Sequence, residues 1–281
     1  MIRYSMHHVY PCLRRFVRHY TVTQCTSTFT SVLAAKTDAS LIFQFGVPKQ
    51  QGLSCGFEFK KTLLKNHFFH RHQIWLNGMH TQPLYYQLNT NTNFLWVNLT
   101  PIGIYHLLRD SIATLVNQGC PFNLHSKQFD HLVERLQDVE HSFQAVELVE
   151  KALLDYYNSL KMPISLQDVS PVCDYIVRQK GMVKIKHLEE KFKGSSRWLE
   201  KQFEKQIGLS PKDFTQLTRF RCLLTRRINH PKLSWAELMD EYGYYDQSHL
   251  IQAFRAYTGF TPTQYMNDVS LNLNNVHFEV E

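Results

Sequence analysis

No stretch of this chain approaches the eighteen or so consecutive apolar residues that a membrane helix requires. Its N-terminus, MIRYSMHHVYPCLRRF, holds no apolar run of the length a secretion signal uses. The six cysteines (Cys12, Cys25, Cys55, Cys120, Cys173 and Cys222) form no C-x-x-C pair and no zinc-ligand spacing. They read as reduced thiols, and the compartment expected is the cytoplasm. Also missing are a G-x-S-x-G elbow, a P-loop, a dinucleotide-binding glycine fingerprint and an H-E-x-x-H helix. Without such a constellation no catalysis, cofactor or metal is expected. A repair methyltransferase would want a reactive cysteine between proline and histidine, whereas Cys12 is followed by Leu13 and Cys120 by Pro121.

What is present is a positive balance, +7 from 31 basic and 24 acidic side chains. Bulk basicity does not single out one half, since residues 1 to 162 already carry 15 basic against 10 acidic side chains. Local density is more informative: from Arg178 to Lys232 there are 15 Lys or Arg against 5 acids. A charge run is usually a solvated face, yet a surplus of this size also supplies phosphate contacts to a nucleic acid.

The last hundred residues contain one pattern twice, offset by 51 positions. Ser195, Leu199, Phe203, Gly208, Pro211 and Phe214 recur as Asp246, Leu250, Phe254, Gly259, Pro262 and Tyr265. Ser195 and Asp246 are N-cap residues, and Gly208 and Gly259 stand where a left-handed residue ends a helix. Leu199 and Phe203, like Leu250 and Phe254, lie four apart and so share a face. The opposite face is polar: Ser196, Arg197, Glu200 and Lys201 in the first copy, Gln247, Ser248, Gln252 and Arg255 in the second. Each copy follows a short amphipathic run, Ile185 to Phe192 and Trp235 to Tyr242, and a turn at Lys193-Gly194 or Gly243-Tyr244. Helix, glycine-containing turn, helix is the unit whose second helix enters the DNA major groove. Pro211 to about Asn229 reads as an unbroken helix between the two units. At about 1.5 Å per residue it spans about 28 Å, close to one turn of DNA, about 34 Å.

The segment GYYDQSHLIQAFRAYTGFTPTQY (Gly243 to Tyr265) resembles the signature of AraC-type transcription regulators, and the likeness extends from about Ser165 to Asp268. The resemblance implies two helix-turn-helix units on a rigid linker helix, reading successive major-groove segments on one side of double-stranded DNA. It also implies that side chains at Arg197, Glu200 and Lys201, and at Gln247, Ser248 and Gln252, face the bases. Activation is the commoner behaviour of the family. The chain departs from the family where Glu189 and Met239 replace small residues and where Arg226 and Arg227 stand near apolar positions. By side-chain chemistry, Arg197 and Lys201 suit guanine or phosphate, Gln247 and Gln252 suit adenine, and Glu200 suits cytosine. Ser196 and Ser248 are small polar members of the same faces, Glu200 alternatively pairs with a neighbouring cation, and His249 either meets phosphate or packs.

The first 160 residues are written as strands, in aromatic and β-branched runs such as Ser40 to Val47, His70 to Met79 and Asn93 to Thr100. Helical periodicity follows from Gly103 to about Asn117 and from Ser126 to about Leu160. In the second run Phe129, Leu132, Val133, Leu136, Phe143, Val146, Val149 and Leu153 line one side. Tyr10-Pro11, Leu13, Phe16 to Tyr20, GMHTQP (Gly78 to Pro83) and Leu99 to Gly103 resemble a poorly characterised N-terminal domain found before AraC-type readers. His70 and His72, near His67, would share a strand face, but no carboxylate or cysteine at ligand spacing joins them.

The expected fold class is α+β: a mostly-β sensory or oligomerising domain over residues 1–110, a helical linker or dimerisation segment over 111–162, an all-α DNA-binding domain over 163–270 and a tail over 271–281. The expected function is a sequence-specific DNA-binding transcription regulator. The alternative is a non-catalytic protein-interaction or small-ligand module, which would leave two polar helix faces without a purpose. Partners expected are double-stranded DNA and a second copy of the chain, with RNA polymerase and a small-molecule effector admitted; no membrane is expected.

Overall fold

The computed structural model describes residues 2–46, 56–59, 67–68, 74–88, 91–122, 127–159 and 168–267. In chain order the N-terminal strands are β1 (Ile2–His7), β2 (Val17–Cys25), β3 (Phe29–Leu33), β4 (Ser40–Phe45), β5 (Gly56–Phe59), β6 (His67–Phe68), β7 (Ile74–Asn77), β8 (Leu84–Leu88) and β9 (Thr92–Leu99). Helix α1 (Gly103–Leu108) and strand β10 (Gly119–Phe122) follow, then α2 (Lys127–Gln137) and α3 (Ser142–Ser159). The rest is helical: α4 (Ser170–Arg178), α5 (Ile185–Phe192), α6 (Ser196–Gln206), α7 (Pro211–Asn229), α8 (Trp235–Glu241), α9 (Gln247–Thr258) and α10 (Pro262–Asn267).

The strands form two antiparallel sheets, one in the order β1-β2-β9-β4-β7-β10 and one in the order β3-β8-β5-β6. Because side chains alternate across a strand, the central strands of the larger sheet feed two cores. In β4, Ile42 joins Trp75, Phe94 and Trp96 against Leu84 and Leu88 of the smaller sheet. Leu41, Phe43 and Phe45 point the other way, into a core shared with Phe129, Leu132 and Leu136 of α2 and Val146, Val149 and Leu153 of α3. Both faces of β4 are therefore covered, which is why all six of its residues are buried.

Two helical expectations are corrected. The run from Gly103 ends at Leu108, where Arg109 adopts a left-handed conformation (φ 59°) and donates its N–H to the Tyr105 carbonyl. Asp110 then accepts from the Ser111 N–H at 2.6 Å, turning the chain before a 3-10 turn at Ala113–Leu115. The run from Ser126 is two helices: the Leu136 carbonyl accepts from Gly46 at 2.9 Å and, in a tightened last turn, from Val139 at 3.4 Å, and the His141 carbonyl starts the next helix. A β-carbon at Gly46 would stand 2.6 Å from the Val139 carbonyl oxygen, so the strand end presses on the break itself. Phe143 is not in the core: it is 53% exposed and stacks on His141. His67 opens β6, whereas His70 and His72 lie outside the described residues, among which there is no group of three metal-ligating side chains.

The two regions share a continuous core, and polar contacts pin them. Asp168, just before α4, accepts from Arg15 and stands 3.8 Å from His106, both of the β region, while the Ser170 N–H donates to it at 2.8 Å. Burial works to raise the Asp168 pKa, but His106, Ser170 and Arg15 together outweigh it and hold the carboxyl well below the usual range. A depressed carboxylate contributes stability that is fully present above the unfolded pKa, about 3.9, and is lost as pH falls through the folded value. Asp168→Asn is therefore expected to destabilise the chain near neutrality, and the gap between variant and parent in urea melts to close below about pH 4. A gap that stays constant down to strongly acid pH would show that Asp168 contributes no such charge-dependent stability.

Candidate nucleic-acid interface

The repeated pattern folds as two matched helical units. Ser195 accepts from the Trp198 N–H at 3.2 Å and opens α6; Asp246 accepts from the His249 N–H at 2.7 Å and opens α9. Each bond satisfies a donor that the first helical turn leaves free. The closing glycines are left-handed, Gly208 at φ 79° and Gly259 at φ 82°. The preceding helices are α5 and α8, the latter started by a capping box in which Ser234 and Glu237 each accept from the other's backbone N–H. Helix α7 opens with Ser210 as cap and Pro211 in its first turn, and it runs unbroken to Asn229.

The apolar faces meet as the spacing requires. In the first unit Leu188, Leu199, Phe203 and Phe214 are fully buried, with the two phenylalanine rings edge to face at 5.8 Å. In the second, Phe254 contacts Phe220 of α7, Trp235 of α8 and Tyr265 of α10. With those faces turned inward, the polar faces turn out: Ser196, Arg197, Glu200 and Lys201 on α6 and Gln247, Ser248, His249 and Gln252 on α9 are all exposed. Each set of four is brought together on one helix. Glu200 makes no ion pair among the described residues, and His249 packs its ring 5.0 Å from Tyr244.

Glu189 lies in α5 of the first unit, whereas Met239, Arg226 and Arg227 lie in α8 and the end of α7. Glu189 and Met239 are half-buried. Arg226 pairs with Glu241 at 3.5 Å, which also lies 3.8 Å from Lys180. Arg227 lies over the Trp235 ring at 5.2 Å and donates to the Pro231 carbonyl at 2.7 Å. Arg227 thus covers the Trp235 ring while its charged end reaches a backbone carbonyl, and Arg226 is held by its ion pair.

Two surface features escape the sequence pattern. Tyr245 is 93% exposed at the mouth of α9, between the cap Asp246 and the buried Tyr244. Beside it Arg219 of α7 lies over the Tyr244 ring at 4.8 Å, and burial pushes the Tyr244 hydroxyl up to about 12. Gln216, Arg219, His249 and Gln252 border a groove of about 220 Å³ between α7 and α9. Arg219 belongs to the linker helix, so no pattern confined to the recognition helices could point to it.

The β region touches both units. The Ile112 N–H donates to the Lys205 carbonyl at 3.2 Å, and the Ala35 N–H to the Tyr257 carbonyl at 2.7 Å. Gly208 makes the first contact close: a β-carbon there would stand 2.6 Å from a Val116 methyl.

Residues 188–268 match the family model described as a helix-turn-helix domain. Among solved structures, the chain is similar to ToxT from Vibrio cholerae O395 at 13% identity, covering 90% of this chain and 98% of that one, with a TM-score of 0.48. The structure of unsaturated fatty acid bound wild-type ToxT from Vibrio cholerae strain SCE256 is similar at 10% identity, covering 88% and 94%, with a TM-score of 0.47. The AraC-like transcriptional activator CuxR is similar at 9% identity, covering 90% and 80%, with a TM-score of 0.23. No curated protein matches the chain.

Proposed function

We propose, from the premise that residues 188–268 are an AraC-type helix-turn-helix domain of a DNA-binding transcription regulator, that α6 and α9 enter successive major-groove segments of one duplex and read its sequence. The reading is carried by one observation: two helices with matching caps and glycine ends, on either side of an unbroken rod, each present a polar face to solvent. A protein surface held only by packing has no need of two such aligned stripes. Arg197 and Lys201 donate to guanine edges or phosphate, Gln247 and Gln252 pair with adenine, and Glu200 accepts from cytosine. Ser196, Ser248 and His249 complete the contact, His249 from its place against Tyr244. Residues 163–270 are the reader and residues 1–110 its sensory or oligomerising partner, joined through 111–162, with 271–281 as a tail; the regulator acts without catalysis, as a homodimer.

Selection of bound sequences from random DNA by the full chain tests this reading directly. A two-part motif with its halves about one helical turn apart is expected; recovery of unenriched sequence would reject it. Arg197→Ala and Gln252→Ala are each expected to relax base preference at a few positions at a cost of about 1–3 kcal/mol. Quantitative binding to single-base variants of the selected site measures this, and unchanged preference in both variants would remove these faces from the interface.

A further inference from the structure

We propose that Arg219 of the linker helix is a DNA-backbone anchor, holding one phosphodiester in the groove between α7 and α9; the inference rests on the DNA-binding reading above. Gln216 and Arg219 of α7 form one wall of the groove, and His249, Gln252, Ala253 and Ala256 of α9 form the other. The α9 residues follow one another at steps of three, one and three, a single stripe along the helix. Ala253 and Ala256 are small, which leaves the groove open. It measures about 220 Å³, and a water needs about 10–15 Å³ by this kind of measure, so a phosphodiester group enters with room to spare.

The placement follows from the width of a helix. His249 and Gln252 belong both to the exposed face of α9 and to the groove, so the groove flanks that face. An α-helix with its side chains is about 10–12 Å across, and the major groove is about 12 Å wide. A helix seated there has a row of phosphates along each flank. The row that runs past His249 and Gln252 meets Arg219 behind them.

The charge in the groove is of one sign. Arg219 lines it, and no carboxylate among the described residues does. Arg219 also makes no ion pair among the described residues. What holds it is Tyr244: the guanidinium lies over that ring at 4.8 Å and donates to its hydroxyl. A guanidinium carries five N–H donors, so donors remain for an anion. Tyr244 is itself fixed, being buried with its ring 5.0 Å from that of His249. A side chain already held on such a ring loses little freedom on binding, and a guanidinium matches a phosphate in shape as well as in charge. Burial keeps both phenols of the groove neutral: it pushes Tyr244 up to about 12 against the pull of Arg219, and it raises Tyr257 with Asp213 adding to the effect. Asp213 is engaged by the cap Ser210, and Asp246 by the His249 N–H.

Fluorescence anisotropy of the full chain on its selected DNA, across a salt series, tests the anchor. Arg219→Met, which keeps an unbranched stem on Tyr244 and removes the charge, is expected to bind all sequences about five- to tenfold more weakly at about 0.1 M salt and to flatten the log–log slope by about 0.9. Arg219→Lys is expected to keep the parent slope. Replacing single phosphates by neutral methylphosphonates locates the partner: at one position the change weakens the parent and leaves Arg219→Met unaffected, because that contact is already lost. If Arg219→Met does not melt cooperatively, Arg219→Gln serves in its place. An unaltered slope in the uncharged variant, with every methylphosphonate equally costly to variant and parent, would reduce Arg219 to a packing residue and overturn the anchor. A loss confined to one base pair overturns it as well, in favour of a base contact. A parent chain that binds no DNA sinks the functional reading and the anchor together, whereas DNA binding indifferent to Arg219 sinks the anchor alone.

Discussion

Phe254→Ala is expected to lower the free energy of unfolding by about 3–5 kcal/mol, the range for deleting a buried phenylalanine ring. The Phe254 side chain is fully buried and receives Phe220 at 5.0 Å, Trp235 at 5.3 Å and Tyr265 at 6.1 Å, one ring from each of α7, α8 and α10. Three helices converge on that ring, so none can move in to fill the void without leaving another contact. The surrounding cluster reaches Val32 and Ala34 of the β region, and loosening it therefore also weakens the seam. Urea melts followed through tryptophan fluorescence measure the loss, and a wild-type midpoint would show that Phe254 is not a core residue. Tyr245→Ala, nine positions away and 93% exposed, makes the natural control, with an expected change within about 0.5 kcal/mol.

The contrast between those two tyrosine- and phenylalanine-bearing positions shows what the sequence could reveal. Ser195, Asp246, Gly208, Gly259 and Pro211 are local signals: the two caps accept through their side chains from an N–H three residues on, Pro211 stands in the first turn of α7, and the two glycines end their helices in the left-handed conformation. The spans of α5 and α7 accordingly agree with the expectation from periodicity and breakers, Ile185–Phe192 and Pro211–Asn229. Where a non-local partner intervenes, periodicity fails. At the break between α2 and α3 the Leu136 carbonyl accepts from Gly46, some ninety residues earlier, as well as from Val139. Phe143 keeps the helical phase of the core residues, yet it falls in the first turn of α3, beyond that break, and faces water. Edge strand β1 pairs with β2 across a register set by Ile2 opposite Cys25, a match no window of MIRYSMH contains.

The site divides in the same way. The exposed polar faces of α6 and α9 were legible because the apolar stripe of each helix fixes which side is left over. The buried charged cluster at the seam was not: Lys36, Asp38 and Arg221 are far apart in the chain and converge only when α7 docks on the β region. Read one by one, an arginine on a helix or a lysine after a strand is ordinary surface charge. Burial of all three together is what makes them unusual.

Affinity of the full chain for its selected DNA is expected to fall about 10³-fold or more between about 50 and 200 mM salt, given six or more phosphate contacts. The basic surplus between Arg178 and Lys232 is the source, but it must be discounted before use. Arg221 is buried in the seam, and Lys180 and Arg226 share Glu241. Lys184, Lys186, Lys191, Lys193, Arg197, Lys201, Lys205 and Lys212 remain exposed on or beside α5, α6 and the start of α7. Six phosphate contacts drawn from them give a log–log slope of about −5, since each released counterion contributes about −0.9. Fluorescence anisotropy across a salt series reads the slope, and a total change under about tenfold would rule out a phosphate-dominated interface. The same series separates the roles of one side chain. If Arg197 donates to phosphate, Arg197→Ala flattens the slope by about 1 and weakens all sequences alike; if it donates to guanine, preference collapses at one base.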